Sequence, residues 1–263
     1  MNEIRDLIIG IDIGKEYTQI CYYDRKAEEA RSLSMKVGAS QYEAPGCICY
    51  RSVQKDYCVG LEAEYFAREK GGIMVGNIYD ICRKEEAVQV AGEERKPAEL
   101  FSHFLREILK FLGIQDIVKN TKCLCITSPE LNAVQVRNYQ EACSLAGFPE
   151  EKYMLMDYGE SFYYYALGQK RETWNRSVGW YAFSGDTVDF RKLTINGASR
   201  PVLVKLEDPV STKLDPENEI RDVEFCRFVS KTLGKELFSS VQITGKGFDQ
   251  QWAQQSVKIL CHQ

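Results

Sequence analysis

Histidine is nearly missing from the chain: His103 and His262 are the only two in 263 residues. That leaves few nitrogen ligands for a zinc centre, which usually mixes imidazoles with thiolates. No apolar run is long enough to span a bilayer, so membrane insertion is not expected. The N-terminal MNEIRD lacks the basic and apolar regions of a signal peptide, which places the expected location in the cytoplasm. An excess of basic charge is lacking as well. Lys and Arg number 34 against 38 Asp and Glu, the net charge is −4 and the pI is near 5.5. Nucleic acid is therefore not the expected partner.

Cysteine, by contrast, is plentiful, at ten residues, but the spacing is not that of a zinc site. Cys47/Cys49 and Cys123/Cys125 are two positions apart, so on a strand each pair points to one face. Reduced thiols acting as small apolar residues are the expectation, with a metal or disulfide role as the lesser alternative. At 44% hydrophobic and 27% charged, the chain is long enough to build two lobes of ordinary size.

The rest is organised around Leu7 to Asp24, LIIGIDIGKEYTQICYYD. Leu7 to Ile11 has strand length and β-branched character, and Asp12 stands at its end. Gly14 allows a tight turn, and Tyr17 to Tyr23 reads as a returning strand. A glycine turn presents N–H groups to phosphate oxygens, and a neighbouring carboxylate holds Mg²⁺ through water.

Further on, Glu43-Ala44-Pro45-Gly46 is a turn signal, Cys47–Tyr50 and Asp56–Val59 are strand candidates, and a helix follows Gly60. Residues 71–94 look loop-rich. Pro97 opens a helix whose apolar stripe runs from Leu100 to Leu112, with Gly113 as its stop. Lys122–Thr127 is a strand closed by Ser128-Pro129. Asn132 caps a helix over 133–146, Gly147 ends it, and Met154–Met156 is a short strand. Phe162 to Gly168 is an aromatic helix, read as packing core rather than a base-stacking platform. Trp174, Trp180 and Trp252 are read the same way. Ser177–Phe183 and the stretch from Val188 form a second hairpin. Pro201–Leu206 is a strand, 207–221 a polar loop and 222–238 an amphipathic helix. The strand Ser239–Thr244 ends in Gly245-Lys246-Gly247, and Gln250–Cys261 begins another helix.

Asp12-Ile13-Gly14 with Thr18 and Asp24 resembles the first phosphate-binding hairpin of the superfamily joining actin, the DnaK-type heat-shock chaperones and the sugar kinases. The strand–Ser-Pro–helix of 122–147, with Gln135 and Arg137, is similar to the chaperones' "VPA…Q…A…AG" segment. Ser184-Gly185-Asp186-Thr187 resembles a degenerate "DLGGGTFD" hairpin, and Gly245-Lys246-Gly247 the adenosine-binding turn. The resemblance covers Leu7 to about Leu260. It implies an α/β, two-lobed actin-like ATPase fold with ribonuclease-H-like repeats. Lobe I would be 1–160, with a small subdomain inserted at about 40–96. Lobe II would be 161–263, abbreviated or truncated.

The resemblance also implies ATP or ADP with Mg²⁺ as cofactors. Asp12 would take the metal through water, and Glu160, the nearest match to the "NEPTAAALAYG" Glu, would help place metal and water. Gly14, Lys15, Thr18, Ser184, Gly185, Asp186, Thr187, Gly245, Lys246 and Gly247 would line the nucleotide. Departures accompany these matches. The second metal-side Asp falls on Ala182, the "DAKR" Lys falls on Cys82 with Arg83 or Lys84 as substitutes, and a Tyr run replaces Ala after Glu160. Each lost contact costs roughly a hundred-fold in rate or more. The expectation is a degenerate member binding nucleotide weakly or not at all and serving as an interaction module for an unidentified protein partner. An active Mg-dependent ATPase or small-molecule kinase, using Asp186 or Asp189 for the metal, is one alternative; an actin-like assembly protein is the other.

Overall fold

The computed structural model describes residues 6–24, 28–36, 38–184, 186–215 and 220–245. It is a mixed α/β protein dividing into two compact units, Met1–Ser161 and Phe162–Gln263.

The first unit opens with β1 (Leu7–Ile13), β2 (Tyr17–Asp24), β3 (Glu29–Ser32) and β4 (Glu43–Pro45). β5 (Cys47–Arg51), β6 (Asp56–Val59), α1 (Gly60–Glu69), β7 (Ile73–Asn77), α2 (Ile78–Cys82), β8 (Val88–Val90) and β9 (Glu93–Arg95) follow. α3 (Pro97–Leu109), α4 (Ile117–Asn120), β10 (Thr121–Ser128), α5 (Ala133–Leu145) and β11 (Tyr153–Asp157) complete it, and α6 (Tyr158–Leu167) runs past its end. The main sheet has the order β11-β10-β1-β2-β3, with β4 also on β2. β1 is parallel to β10 and antiparallel to β2. β2 is shared: Tyr17–Gln19 pair with β4 and Cys21–Asp24 with β3.

Alternation in β1 explains its place. Leu7, Ile9, Ile11 and Ile13 are at most 5% exposed, whereas Ile8 on the other face is 36% exposed. The buried face joins one core with α3 and α5, where Phe101 and Tyr139 meet at 4.5 Å between ring centres. Local chemistry sets the helix ends. The Glu99 carboxylate accepts the Lys96 N–H ahead of α3, and Asn132 Oδ1 accepts the Gln135 N–H at the start of α5. Gly113 and Gly147 take the left-handed backbone that stops the following turns.

The second unit contains β12 (Ser177–Ser184), β13 (Thr187–Asn196), β14 (Leu203–Leu206), β15 (Val210–Lys213), α7 (Arg221–Leu233) and β16 (Phe238–Gly245). Its sheet runs β14-β13-β12-β16, with β15 also on β13. β12 is antiparallel to β13 and parallel to β16. β13 is shared as β2 is: Thr187–Phe190 pair with β15 and Leu193–Asn196 with β14. Tyr181, Phe183 and Phe190 pack against Phe225, Phe228 and Val229 of α7.

The structure corrects two readings. Residues 71–94 hold β7, α2 and the β8–β9 hairpin, and the polar stretch 207–221 holds β15. These strands of three to five residues are too short for an apolar period to register. The helix expected over 250–261 lies outside the described residues, as does Trp252.

The nine described cysteines carry free thiols. Burial pushes Cys58 and Cys143 up to about 12, and Cys47 and Cys125 up to about 11. Few are then thiolate near neutral pH, and the thiolate is the reactive form. With a thiol-disulfide dye at pH 8, the native chain should react much more slowly than the denatured chain; equal rates would contradict this burial. Phe101→Ala, opening a hole in a fully buried site, should lower stability by about 3–5 kcal/mol in urea unfolding.

Candidate functional site

The first hairpin ends in the pair Ile13–Thr18. Its turn is closed by its own backbone, because Gly14 N–H donates to Tyr17 O at 2.9 Å. A Cβ on residue 14 would stand 2.8 Å from Tyr17 O, so close approach requires glycine here. Thr18 is 1% exposed, and its hydroxyl donates to Asp12 O at 2.7 Å. Two groups expected to face phosphate therefore have bonds within the hairpin. Lys15 and Glu16 are exposed, and their carbonyls anchor the turn instead. Asn77 Nδ2 donates to Lys15 O at 2.9 Å, and Gly46 N–H to Glu16 O at 2.8 Å. Asn77 also caps α2 by accepting the Tyr79 N–H at 2.8 Å.

Asp12 meets a partner from 146 residues away. The Tyr158 hydroxyl donates to Asp12 Oδ1 at 2.6 Å. A bond this short to a carboxylate is charge-assisted. Burial first, then the Asp12 charge, pushes the Tyr158 phenol well above the usual tyrosine range. The same phenol oxygen would lie 3.2 Å from a Cβ on Gly14, so it rests against the turn as well. Ser128, fully buried at the end of β10, donates to Ile13 O at 3.0 Å and holds the hairpin from below.

Glu160 sits two residues after Tyr158 in α6, whose start is capped by Asp157 Oδ1 accepting the Glu160 N–H at 2.7 Å. The Glu160 charge is felt by Cys125, one of the groups that hold that thiol protonated. Cys82 is fully buried in the core and cannot reach a ligand. Its neighbour Arg83 donates to Tyr79 OH at 2.7 Å and to Glu130 at 3.3 Å, and Lys84 is exposed.

In the second unit, Ser184 and Thr187 form the last pair of the β12–β13 hairpin. Gly185, Lys246 and Gly247 lie outside the described residues. Ala182 stands opposite Asp189, whose carboxylate accepts the Ser211 hydroxyl at 2.6 Å. Asp186 accepts the Thr187 hydroxyl at 3.1 Å, and Lys213 approaches its carboxylate at 3.6 Å. Gly245 pairs with Phe183, and a Cβ there would come within 2.0 Å of Phe183 O. Of the aromatic run, only Phe162 is core. It stacks on Trp180 at 4.3 Å, and Trp180 Nε1 donates to Thr244 at 2.8 Å. Tyr164 and Tyr165 are 52% and 54% exposed, because the helical period turns them away from the buried face of Phe162 and Ala166.

The family described as "Family of unknown function (DUF5716) C-terminal" matches residues 29–263. The chain belongs to the DUF5716 family. No curated protein matches it. The DUF5716 match begins after β2, so Asp12, Gly14, Lys15 and Thr18 lie ahead of it. Among the described residues, no helix is long and apolar enough to cross a membrane.

A hydrated Mg²⁺ needs carboxylate lone pairs turned toward its waters. Asp12 instead offers an oxygen that already accepts a phenol. Among the described residues, no group of three or more His, Cys, Asp or Glu could enclose a metal ion. At the first hairpin, one Asp12 oxygen is thus engaged by protein, at the place where the motif implies a hydrated cation. Local sequence could not reveal Tyr158 or Asn77 as parts of this site, since each acts on a turn far away in the chain.

Removing the phenol's bond to a charged acceptor should cost about 1.5–3 kcal/mol, read as the urea-unfolding difference between wild type and Tyr158→Phe. A phenol whose pKa is raised on folding stabilises fully below the unfolded value of 10.0, and that stability is lost as pH rises beyond it. Stability should therefore fall above pH 10, and less steeply in Tyr158→Phe. Gly245→Ala should destabilise the second unit, seen as a lowered melting temperature.

Proposed function

We propose that the chain is a cytoplasmic, two-lobed protein of the actin and DnaK-type fold. Its nucleotide site has decayed, and it serves as a protein-interaction module. Adenine nucleotide binds weakly or not at all. The fold part of this reading is supported by the repeated strand order. In each unit an antiparallel hairpin is followed by strands that share its second member. A helix then leads to a strand parallel to the first. That order is the one expected of ribonuclease-H-like repeats, and fold alone carries no activity.

The observation that carries the decay is the pair of hairpins themselves. The first has an acid, Asp12, under a phenol, and the second has Ala182, paired across the strands with Asp189, where the motif resemblance expects an acid. Phosphoryl transfer depends on a metal, aimed donors and a positioned water. Here the Gly14 N–H closes its own turn, the Lys expected in the "DAKR" segment is a buried Cys82, and Asp189 is held by Ser211. The active-enzyme alternative would need those groups released together.

Calorimetry of the whole chain with ATP and with ADP, each with Mg²⁺, should give no binding or only millimolar binding. A steady-state assay should show no hydrolysis above buffer. Micromolar binding, or Mg²⁺-dependent hydrolysis abolished by Asp12→Ala, would overturn the proposal.

A further inference from the structure

We infer that the Tyr158 hydroxyl is a resident substitute for a divalent cation, keeping Asp12 from recruiting one. The inference rests on reading the first hairpin as a former phosphate and metal site. Two contacts and its place in the chain put the phenol where such a cation would act. It donates to the Asp12 carboxylate at 2.6 Å. It lies against the Gly14 turn, within 3.2 Å of where a side chain would begin. It is carried on the first residue of α6, directly after β11, whose Asp157 caps that helix and fixes where the ring starts.

The chemistry of the exchange is simple. A metal-bound water and a phenol are both O–H donors to a carboxylate, but the phenol brings no positive charge. It satisfies the acid without attracting phosphate, and it needs no ion from solution. To bind here, a cation must break a charge-assisted bond inside a half-buried site and displace a phenol oxygen that rests against the turn. Neighbouring groups do not invite it. Lys15 on the turn and Arg83 beside Tyr79 are cations, and Asp157, the carboxylate next to Tyr158, is engaged as the cap of α6. The device also accounts for keeping Asp12 at all. A half-buried carboxylate gains from an O–H donor, and Tyr158 supplies one at 2.6 Å.

The test uses Mn²⁺ alone, without nucleotide, titrated into the full chain and followed by electron paramagnetic resonance and water-proton relaxation. Wild type and Asp12→Asn should give superimposable curves. Tyr158→Phe should gain a site at least ten-fold tighter than any in wild type, and adding Asp12→Asn should remove it. Wild-type binding that Asp12→Asn abolishes would overturn the inference, and so would a Tyr158→Phe chain that titrates like wild type. If Tyr158→Phe fails to melt cooperatively, the wild-type and Asp12→Asn pair still decides: overlap supports the inference and divergence sinks it. A nucleotide result against the proposed function leaves this comparison intact, so the two can fail separately.

Discussion

β1 is the constraint on which the first unit depends. It lies in the middle of the main sheet, antiparallel to its hairpin partner β2 on one side and parallel to β10 on the other. Its odd-numbered residues are committed to the core of α3 and α5, which fixes the register of both neighbours. A slip of one residue would bury Asp12 and expose Ile11 and Ile13. The position of the acid at the open end of the strand is therefore dictated by hydrophobic burial along its length. Chemistry at the hairpin is inherited from packing.

Much of this was legible from local patterns. The alternation of β1, the Gly14 turn, the stripe of α3 and the Asn132 cap are all short-range signals, and they led to the right elements. β12, β13, α7 and β16 were legible for the same reason. What escaped notice was of two kinds. Strands such as β8, β9 and β15 are no longer than two periods of alternation, so their residues look like polar loop. The partners of Asp12 and Lys15, namely Tyr158 and Asn77, act across 146 and 62 residues, and nothing in their own neighbourhoods marks them. Composition alone makes the tyrosine run look like core, whereas the helical period buries Phe162 and exposes Tyr164 and Tyr165.

The two hairpins differ in what surrounds their charged residues. In the second unit, both faces of β12 are occupied. Tyr181 and Phe183 pack toward α7, and Trp180 stacks on Phe162. Aromatic burial of this size stabilises whether or not a ligand is present. Ala182 can therefore sit where an acid is expected without cost to the sheet, and the remaining acids are satisfied by Ser211, Thr187 and Lys213. The sheet's stability rests on this aromatic packing and not on the acids beside it.

Asn77 gives the β6-β5-β7 strands an influence beyond their own small sheet. One end of its amide holds the entrance of α2 and the other holds the backbone of Lys15. An amide plane is stiff, so it transmits displacement as a crossbar does. Tugging on β7 tugs on the turn between β1 and β2, and whatever grips residues 47–95 from outside thereby gains leverage over the hairpin tip.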